Sequence, residues 1–360
     1  MKKEIFIHIG PPKTGTSAIQ KWLSEHRKEL KKQGLYYPDH RTDENGVSSG
    51  NLLSIFSRKE DNSLYIDTTK VASLLSCFYS NNKYNKLLLS SEFFFMRMNE
   101  VREAIPDAIF IGYLRNPIEK RESQYNQGVK RALFKHKYPN KTHHNAQDLS
   151  ILTKYIKSHT CSKLILRPYG PQFFSGGNIA SDLLETIDLN KTEAKLPNIN
   201  NSYNLEALEL KRWLNNFPLG NIATKIDICL QSFDSGVAEY TLINPEILKK
   251  QLKIDLKAIR LFFELVDTNF SEDFIGNIIN SKKQKFYDQE LESSKLVNVM
   301  RYLKRKLGNE SKILLKILEN DKETKNDYAI IFIEILKEKN TYELIKKNIS
   351  IKLKVFNFFH

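Results

Sequence analysis

The sequence predicts an α/β fold of three layers, a central parallel sheet with helices on both faces, followed by an α-helical C-terminal extension. Three observations lead there. Four short apolar runs, Ile5 to Ile9, Lys86 to Ser91, Ile109 to Leu114 and Lys163 to Leu166, are separated by stretches of helical periodicity. Runs apolar throughout, rather than alternating, fit strands buried on both faces. Each run ends on a polar residue or a glycine turn, so Lys13, Glu92, Arg115 and Arg167 are expected at one rim, outside the carboxyl ends of the strands. From about Asn204 the texture changes to lysine-rich helical segments without strand runs. The expected division is residues 1–217 for the α/β domain and 218–360 for the helical region.

In order along the chain, Ile5 to Ile9 reads as the first strand and Ala18 to Gln33 as a helix. Ile19, Trp22, Leu23, His26 and Leu30 fall on one face of a 3.6-residue period. Gly34 stands where a helix C-cap belongs, and Leu35-Tyr36-Tyr37-Pro38 is a short extended piece. Residues 39–63 are polar and turn-rich, a surface loop with a short helix. In the C-terminal region, residues 204–217, 246–266, 290–307, 310–319 and 326–338 have helical spacing. Their Met and aromatic positions, Phe262, Phe263, Met300 and Tyr302, are expected in the core.

The chain of 360 residues carries 56 Lys and Arg against 42 Asp and Glu, a net charge of +14. Such a surface favours anionic partners without choosing among nucleotides, acidic glycans and lipid. Three scattered cysteines, Cys77, Cys161 and Cys229, suit reduced thiols and a cytoplasmic setting and form no zinc motif. The N-terminus does not read as a signal peptide. No apolar run reaches the ~18–20 residues needed to span a bilayer, and the longest, Tyr328 to Leu336, contains Glu334. Peripheral membrane contact stays compatible with this pattern.

The turn Gly10-Pro11-Pro12-Lys13-Thr14-Gly15-Thr16-Ser17 lies between a strand and a helix. Glycines let the backbone approach a ligand, the helix start presents unpaired N–H groups, and Lys13 adds a charge, a combination that holds phosphate. The nucleotide-binding Walker spacing G-x-x-x-x-G-K-[ST] is not met, because the lysine precedes the second glycine. A second stretch, Arg115-Asn116-Pro117, ends the third strand, and Ser123-Gln124-Tyr125 follows inside the next helix. Pro117 suits the first helical turn, and Arg115 can clamp a phosphate in bidentate fashion.

Together these stretches resemble the cofactor-binding pair of the sulfotransferases that use 3'-phosphoadenosine 5'-phosphosulfate (PAPS). Lys13-Thr14-Gly15-Thr16-Ser17 matches the family's K-[ST]-G-T-[ST] loop for the 5'-phosphosulfate. Arg115-Asn116-Pro117 with Ser123-Gln124-Tyr125 matches its R-[DN]-P segment and S-x-Y for the 3'-phosphate. Leu166-Arg167-Pro168-Tyr169, Asp182-Leu183-Leu184-Glu185 and Asn201-Ser202 resemble segments of the bacterial carbohydrate sulfotransferase-like branch. The resemblance covers about residues 3–217. It implies a P-loop-like α/β/α fold, PAPS as donor and no metal. It also implies Lys13 at the leaving oxygen, Thr14, Gly15, Thr16 and Ser17 around the 5'-phosphosulfate, and Arg115 and Ser123 on the 3'-phosphate. A sugar hydroxyl of a glycan or glycolipid precursor, sulfated in the cytoplasm, is the implied acceptor.

The acceptor hydroxyl must lose its proton, so a general base is expected near the sulfur. Glu92, at the end of the Lys86 to Ser91 run, is the candidate. It stands where many cytosolic members carry a catalytic His and several carbohydrate-directed members carry a Glu nearby. A local pairing of Glu92 with Lys or Arg is the competing explanation. His8, mid-strand, reads as a core residue, and His136, His143 and His144 lie in a polar loop able to line an acceptor cleft. Two departures point away from the steroid and phenol enzymes. Ala18 stands where those enzymes stack an aromatic on adenine, and no late R-K-G segment occurs; Ser175-Gly176-Gly177 reads as a turn. A P-loop-type nucleotide kinase would need Walker spacing and a magnesium carboxylate. A nucleic-acid-binding protein would need aromatic platforms or a basic recognition helix, whereas Lys322 to Asp327 interleaves its charges. A degenerate sulfotransferase fold kept as a binding module would have no need of Lys13, Arg115 and Ser123 together.

Overall fold

A computed structural model describes residues 2–40, 48, 50–144, 146–159, 163–190, 202–266, 268–280, 284–320 and 326–338. The described residues form seven strands: β1 (Glu4–His8), β2 (Leu35–Tyr36), β3 (Phe56–Arg58), β4 (Leu64–Ile66), β5 (Lys86–Ser90), β6 (Ile109–Leu114) and β7 (Leu164–Pro168). The helices begin with α1 (Thr16–Glu25), α2 (Arg27–Lys32), α3 (Thr68–Ser80), α4 (Phe93–Met96) and α5 (Met98–Ala104). They continue with α6 (Pro117–Arg131), α7 (Gln147–Ser158), α8 (Ile179–Thr186), α9 (Leu205–Leu214) and α10 (Ala223–Gln231). The last are α11 (Pro245–Phe263), α12 (Ser271–Asn280), α13 (Ser293–Leu307), α14 (Ser311–Asn320) and α15 (Asp327–Lys337). Two compact units divide the chain, one of Met1–Gln124, Asn140–Asn200 and Pro245–Lys283, the other of Tyr125–Pro139, Asn201–Asn244 and Gln284–His360.

The first unit is the three-layer α/β/α fold. Its five-stranded sheet has the order β2-β5-β1-β6-β7, with every pairing parallel. Side chains alternate across the sheet, so Ile5 and Ile7 of β1 face one way and Phe6 and His8 the other. Ile5, Ile7, Leu87, Leu89 and Phe110 pack with α3, α5, α7, α11 and α12 through residues such as Phe78, Val101, Leu152 and Phe262. On the opposite face Phe6, Leu88, Ile111 and Tyr113 pack with Ile19, Trp22 and Leu23 of α1 and with Ile179, Leu183 and Leu184 of α8. Each such side chain contributes roughly 1.5–3 kcal/mol on burial. From β1 the chain builds outward to β2 and β5 on one side, then to β6 and β7 on the other. The switch point is therefore the crevice between β1 and β6 at their carboxyl ends.

The four apolar runs are strands, each within two residues of its expected bounds. The expected single helix at 18–33 is two: α1 stops at Glu25, and His26 separates it from α2. His26 Nδ1 hydrogen-bonds the Trp22 carbonyl at 2.9 Å and its ring stacks on the Trp22 indole, so a side chain sets the break. Gly34 has the left-handed φ of 84° that ends α2. Within 39–63 the short helix is a 3-10 turn at Leu52–Ser54, and β3 pairs antiparallel with β4, a ribbon the sequence pattern does not announce.

In the second unit α9, α10, α13, α14 and α15 form the helical part, and α10 is not among the expected segments. Trp213 contacts Phe217 and Phe332, and Met300 is buried. Buried Glu209 accepts from Arg212 Nε at 3.0 Å and from the Glu290 amide at 2.9 Å. No helix of the described residues is long and apolar enough to cross a membrane. Cys77 and Cys229 are free thiols, and Cys161 lies outside the described residues, as do Lys322 to Lys325 and Asn201.

Candidate active site

The site is assembled from the segments that leave the carboxyl ends of β1, β5, β6 and β7. After β1 comes the loop of residues 9–15. Thr14 is buried and its hydroxyl donates to the Pro11 carbonyl at 2.6 Å, so it braces the turn from inside. Lys13 has a φ of 71°, unusual for a residue with a side chain and a mark of backbone held by its surroundings. Gly15 has a φ of 76°, and a Cβ there would lie 3.1 Å from Ile179 Cδ1 and 3.3 Å from Tyr169 Cε2. Both conformation and space therefore favour glycine. Helix α1 opens from Gly15 with no side-chain cap and no acidic residue in its first turn. Among the described residues, neither an N-cap side chain nor a first-turn carboxylate compensates its leading N–H groups and positive dipole end. Ser17 is half-buried in that turn, and Thr16 is buried with no hydrogen-bond partner for its Oγ1.

After β6, Asn116 caps α6: its Oδ1 accepts the Ile118 amide at 3.0 Å, and Pro117 takes the first helical position. Arg115 is thereby fixed at the strand–helix junction. Its Nη1 donates to the Lys13 carbonyl at 2.8 Å, joining two segments 102 residues apart. Its guanidinium lies over the Tyr169 ring, 5.1 Å from the centroid. Its Nε is buried without a hydrogen bond; the Glu119 carboxylate lies 3.7 Å away, beyond hydrogen-bond reach. Ser123 is half-buried on α6.

Lys13 and Arg115 are thus brought together at the β1/β6 crevice. Glu92 sits at the turn from β5 into α4, exposed, and among the described residues no hydrogen bond or ion pair engages its carboxylate. Arg167, expected at the rim, belongs instead to a buried network. It lies within β7 and donates through Nη2 and Nε to the Asp182 carboxylate at 2.6 and 3.2 Å. Asp182, which is 1% exposed, also accepts from the Tyr113 hydroxyl at 2.9 Å and the Ser175 amide at 3.0 Å. Burial first, then the Asp182 charge, push the Tyr113 phenol well above its ordinary range.

His8 is fully buried, as expected of a core histidine, with Nδ1 2.8 Å from Ser90 Oγ. Burial alone lowers its pKa to about 3, so the ring is neutral. Ser90 is held on every side: its amide donates to Asn51 Oδ1 at 2.7 Å and its carbonyl accepts from Gln20 Nε2 at 3.2 Å. The Ser91 amide donates to the His8 carbonyl at 3.2 Å. This bracket fixes the end of β5 from which Glu92 projects. His143 is engaged through its backbone by Gln251, and His144 and His136 are exposed. Sequence reasoning missed Tyr169 as the platform under Arg115, the Asp182 bridge and the Asn51 brace. The only available signal was the conjunction of Leu166-Arg167-Pro168-Tyr169 with Asp182.

No protein-family model and no curated protein matches the chain. Among solved structures the chain is similar to a sulfotransferase from Alicyclobacillus acidocaldarius. The two share 13% identity, covering 76% of this chain and 100% of that one, with a TM-score of 0.38. The functional reading therefore rests on the residues themselves.

Proposed function

We propose that the chain is a PAPS-dependent sulfotransferase acting on a sugar hydroxyl of a glycan or glycolipid precursor. The observation that carries this reading is the 2.8 Å bond from Arg115 to the Lys13 carbonyl, which links the loop expected to hold the 5'-phosphosulfate to the segment expected to hold the 3'-phosphate. The residues fit such a donor. Arg115 Nε, 3.7 Å from the Glu119 carboxylate, and Thr16 Oγ1 are buried polar atoms without a hydrogen bond, and the uncapped start of α1 suits an anion. The donor would supply the sulfuryl group and a phosphate leaving group. Lys13 and the α1 N-terminus would stabilise charge growing on the departing phosphate oxygen, and Arg115 and Ser123 would hold the 3'-phosphate. As the acceptor oxygen bonds sulfur and the sulfur–oxygen bond to the phosphate breaks, Glu92 would take the acceptor proton.

Calorimetric titration with 3'-phosphoadenosine 5'-phosphate, beside ATP with magnesium, tests the proposal. Micromolar binding of the former with little of the latter is expected, and Lys13→Ala should abolish sulfuryl transfer. The reverse preference would overturn the reading in favour of a nucleotide kinase. Binding of neither would leave a degenerate fold serving as a binding module. Full activity in Glu92→Gln would remove the base assignment alone.

A further inference from the structure

We propose that the exposed face formed by α11 and α7 docks the protein on an anionic membrane surface. Helix α11 is 19 residues long and buries Gln251, Asp255, Ile259 and Phe262 along one side, where Asp255 is paired with Arg121. At 100° per residue the exposed Lys249, Lys250, Lys253, Lys257 and Arg260 fall on the opposite arc. Glu246 and Glu264 are the acidic residues of that arc. Helix α7 adds exposed Lys154 and Lys157, while its own Asp148 is taken by Lys120. Cations therefore outnumber carboxylates seven to two across the face.

Charge alone would describe a solvated surface. The second observation is apolar. Leu261, in the last turn of α11, and Leu265, two residues beyond its end, are 52% and 43% exposed. They line an open groove of about 900 Å³ between α11 and α7, with Leu149 and Ala258 beside them, Lys154 and Lys157 along its α7 side and Glu264 on the opposite side. Aliphatic side chains bordered by lysines match a lipid interface, where acyl chains take the leucines and anionic headgroups take the cations. Nucleic acid would call for exposed aromatic platforms, and the aromatic residues of these helices, Tyr155, Phe262 and Phe263, are buried or half-buried. The inference does not rest on the donor-nucleotide reading.

The test is cosedimentation of the full chain with vesicles of phosphatidylcholine alone and of phosphatidylcholine mixed with phosphatidylglycerol. Binding is expected to the mixed vesicles only and to weaken as salt rises. The quadruple variant Lys154→Gln, Lys157→Gln, Lys253→Gln, Lys257→Gln should bind roughly a hundredfold or more weakly. Leu261→Ser with Leu265→Ser should raise the dissociation rate at low salt. All six positions are on the surface, and unchanged circular dichroism checks the fold. Lys13→Ala should bind vesicles like the wild type, so failure of the donor reading and failure of membrane docking are separate results. Equal binding to both vesicle types, no binding, wild-type affinity in the quadruple variant, or tighter binding to an RNA oligonucleotide than to mixed vesicles would overturn the proposal.

Discussion

Gly15→Ala measures how tightly the phosphate-type loop is packed, provided the backbone penalty is separated from the contact. Gly177 makes the separation possible. Its φ is 74°, against 76° for Gly15, but a Cβ at Gly177 would meet nothing within 4 Å. Both substitutions carry a left-handed penalty of about 1–2 kcal/mol. Both also gain about 0.4–1 kcal/mol from a stiffer unfolded chain. These contributions cancel in the difference. The remainder at Gly15 is overpacking against Ile179 at 3.1 Å and Tyr169 at 3.3 Å. Ile179 is buried, and Tyr169 is flanked by the Arg115 guanidinium and by Phe174, 5.4 Å away, so neither swings clear. Contacts just above 3 Å belong at the low end of overpacking costs, so Gly15→Ala should lose about 1–2 kcal/mol more than Gly177→Ala. Urea denaturation with matched m-values reads the difference directly. Equal losses, or a larger loss at Gly177, would refute the packing argument. Binding of 3'-phosphoadenosine 5'-phosphate should fall in the Gly15 variant and hold in the Gly177 variant.

Three further outcomes are expected. Asp182→Ala strands the Arg167 guanidinium, the Tyr113 hydroxyl and the Ser175 amide, and should lose about 3–5 kcal/mol in urea denaturation, with partial recovery in Asp182→Asn. His8 has a folded pKa near 3 against 6.5 when free, so the unfolded chain binds its proton first and stability falls as pH drops below about 6.5. His8→Gln should flatten the denaturation midpoint between pH ~6.5 and ~5 relative to the wild type, and parallel curves would exclude His8 as the source. Arg115→Lys keeps the charge but loses the fork that reaches the Lys13 carbonyl and covers Tyr169, and calorimetry should show 3'-phosphoadenosine 5'-phosphate bound about 1.5–3 kcal/mol more weakly.

The sheet was legible because its strands are buried on both faces and so are apolar throughout, as in Ile109 to Leu114, which is strand β6 to the residue. The β3–β4 ribbon was not, since Phe56–Arg58 and Leu64–Ile66 are three residues each, too short to show a period. Helix α12 carries Gly276 at its centre, which weakens the helical signal, and α10 has no side-chain cap to announce it. Lys13 and Arg115 stood out because glycine, proline and charge cluster around them. The pairing of Arg167 with Asp182 did not, because a strand-end arginine looks the same whether it faces a ligand or a carboxylate on the next helix.

That pairing belongs to a pattern visible only once register is known. Ser90 aligns with His8, His8 with Ile111, and Tyr113, two residues past Ile111, with Arg167. Residues in parallel register, and those two apart on one strand, share a face. Ser90, His8, Tyr113 and Arg167 therefore lie on the α1/α8 face of β5, β1, β6 and β7, at the last rungs before the rim. Burying such groups is costly unless they are bonded, and here Ser90 answers His8 Nδ1 while Asp182 answers both Tyr113 and Arg167; among the described residues His8 Nε2 has no hydrogen bond. The His8–Ser90 bond ties the stop of β1 to that of β5, Asp182 ties the stop of β6 to that of β7, and the His8 and Tyr113 rings meet edge to face between the two pairs. Lys13, Glu92, Arg115 and Tyr169 follow those stops within a few residues, and their spacing at the rim is set by the polar row beneath them.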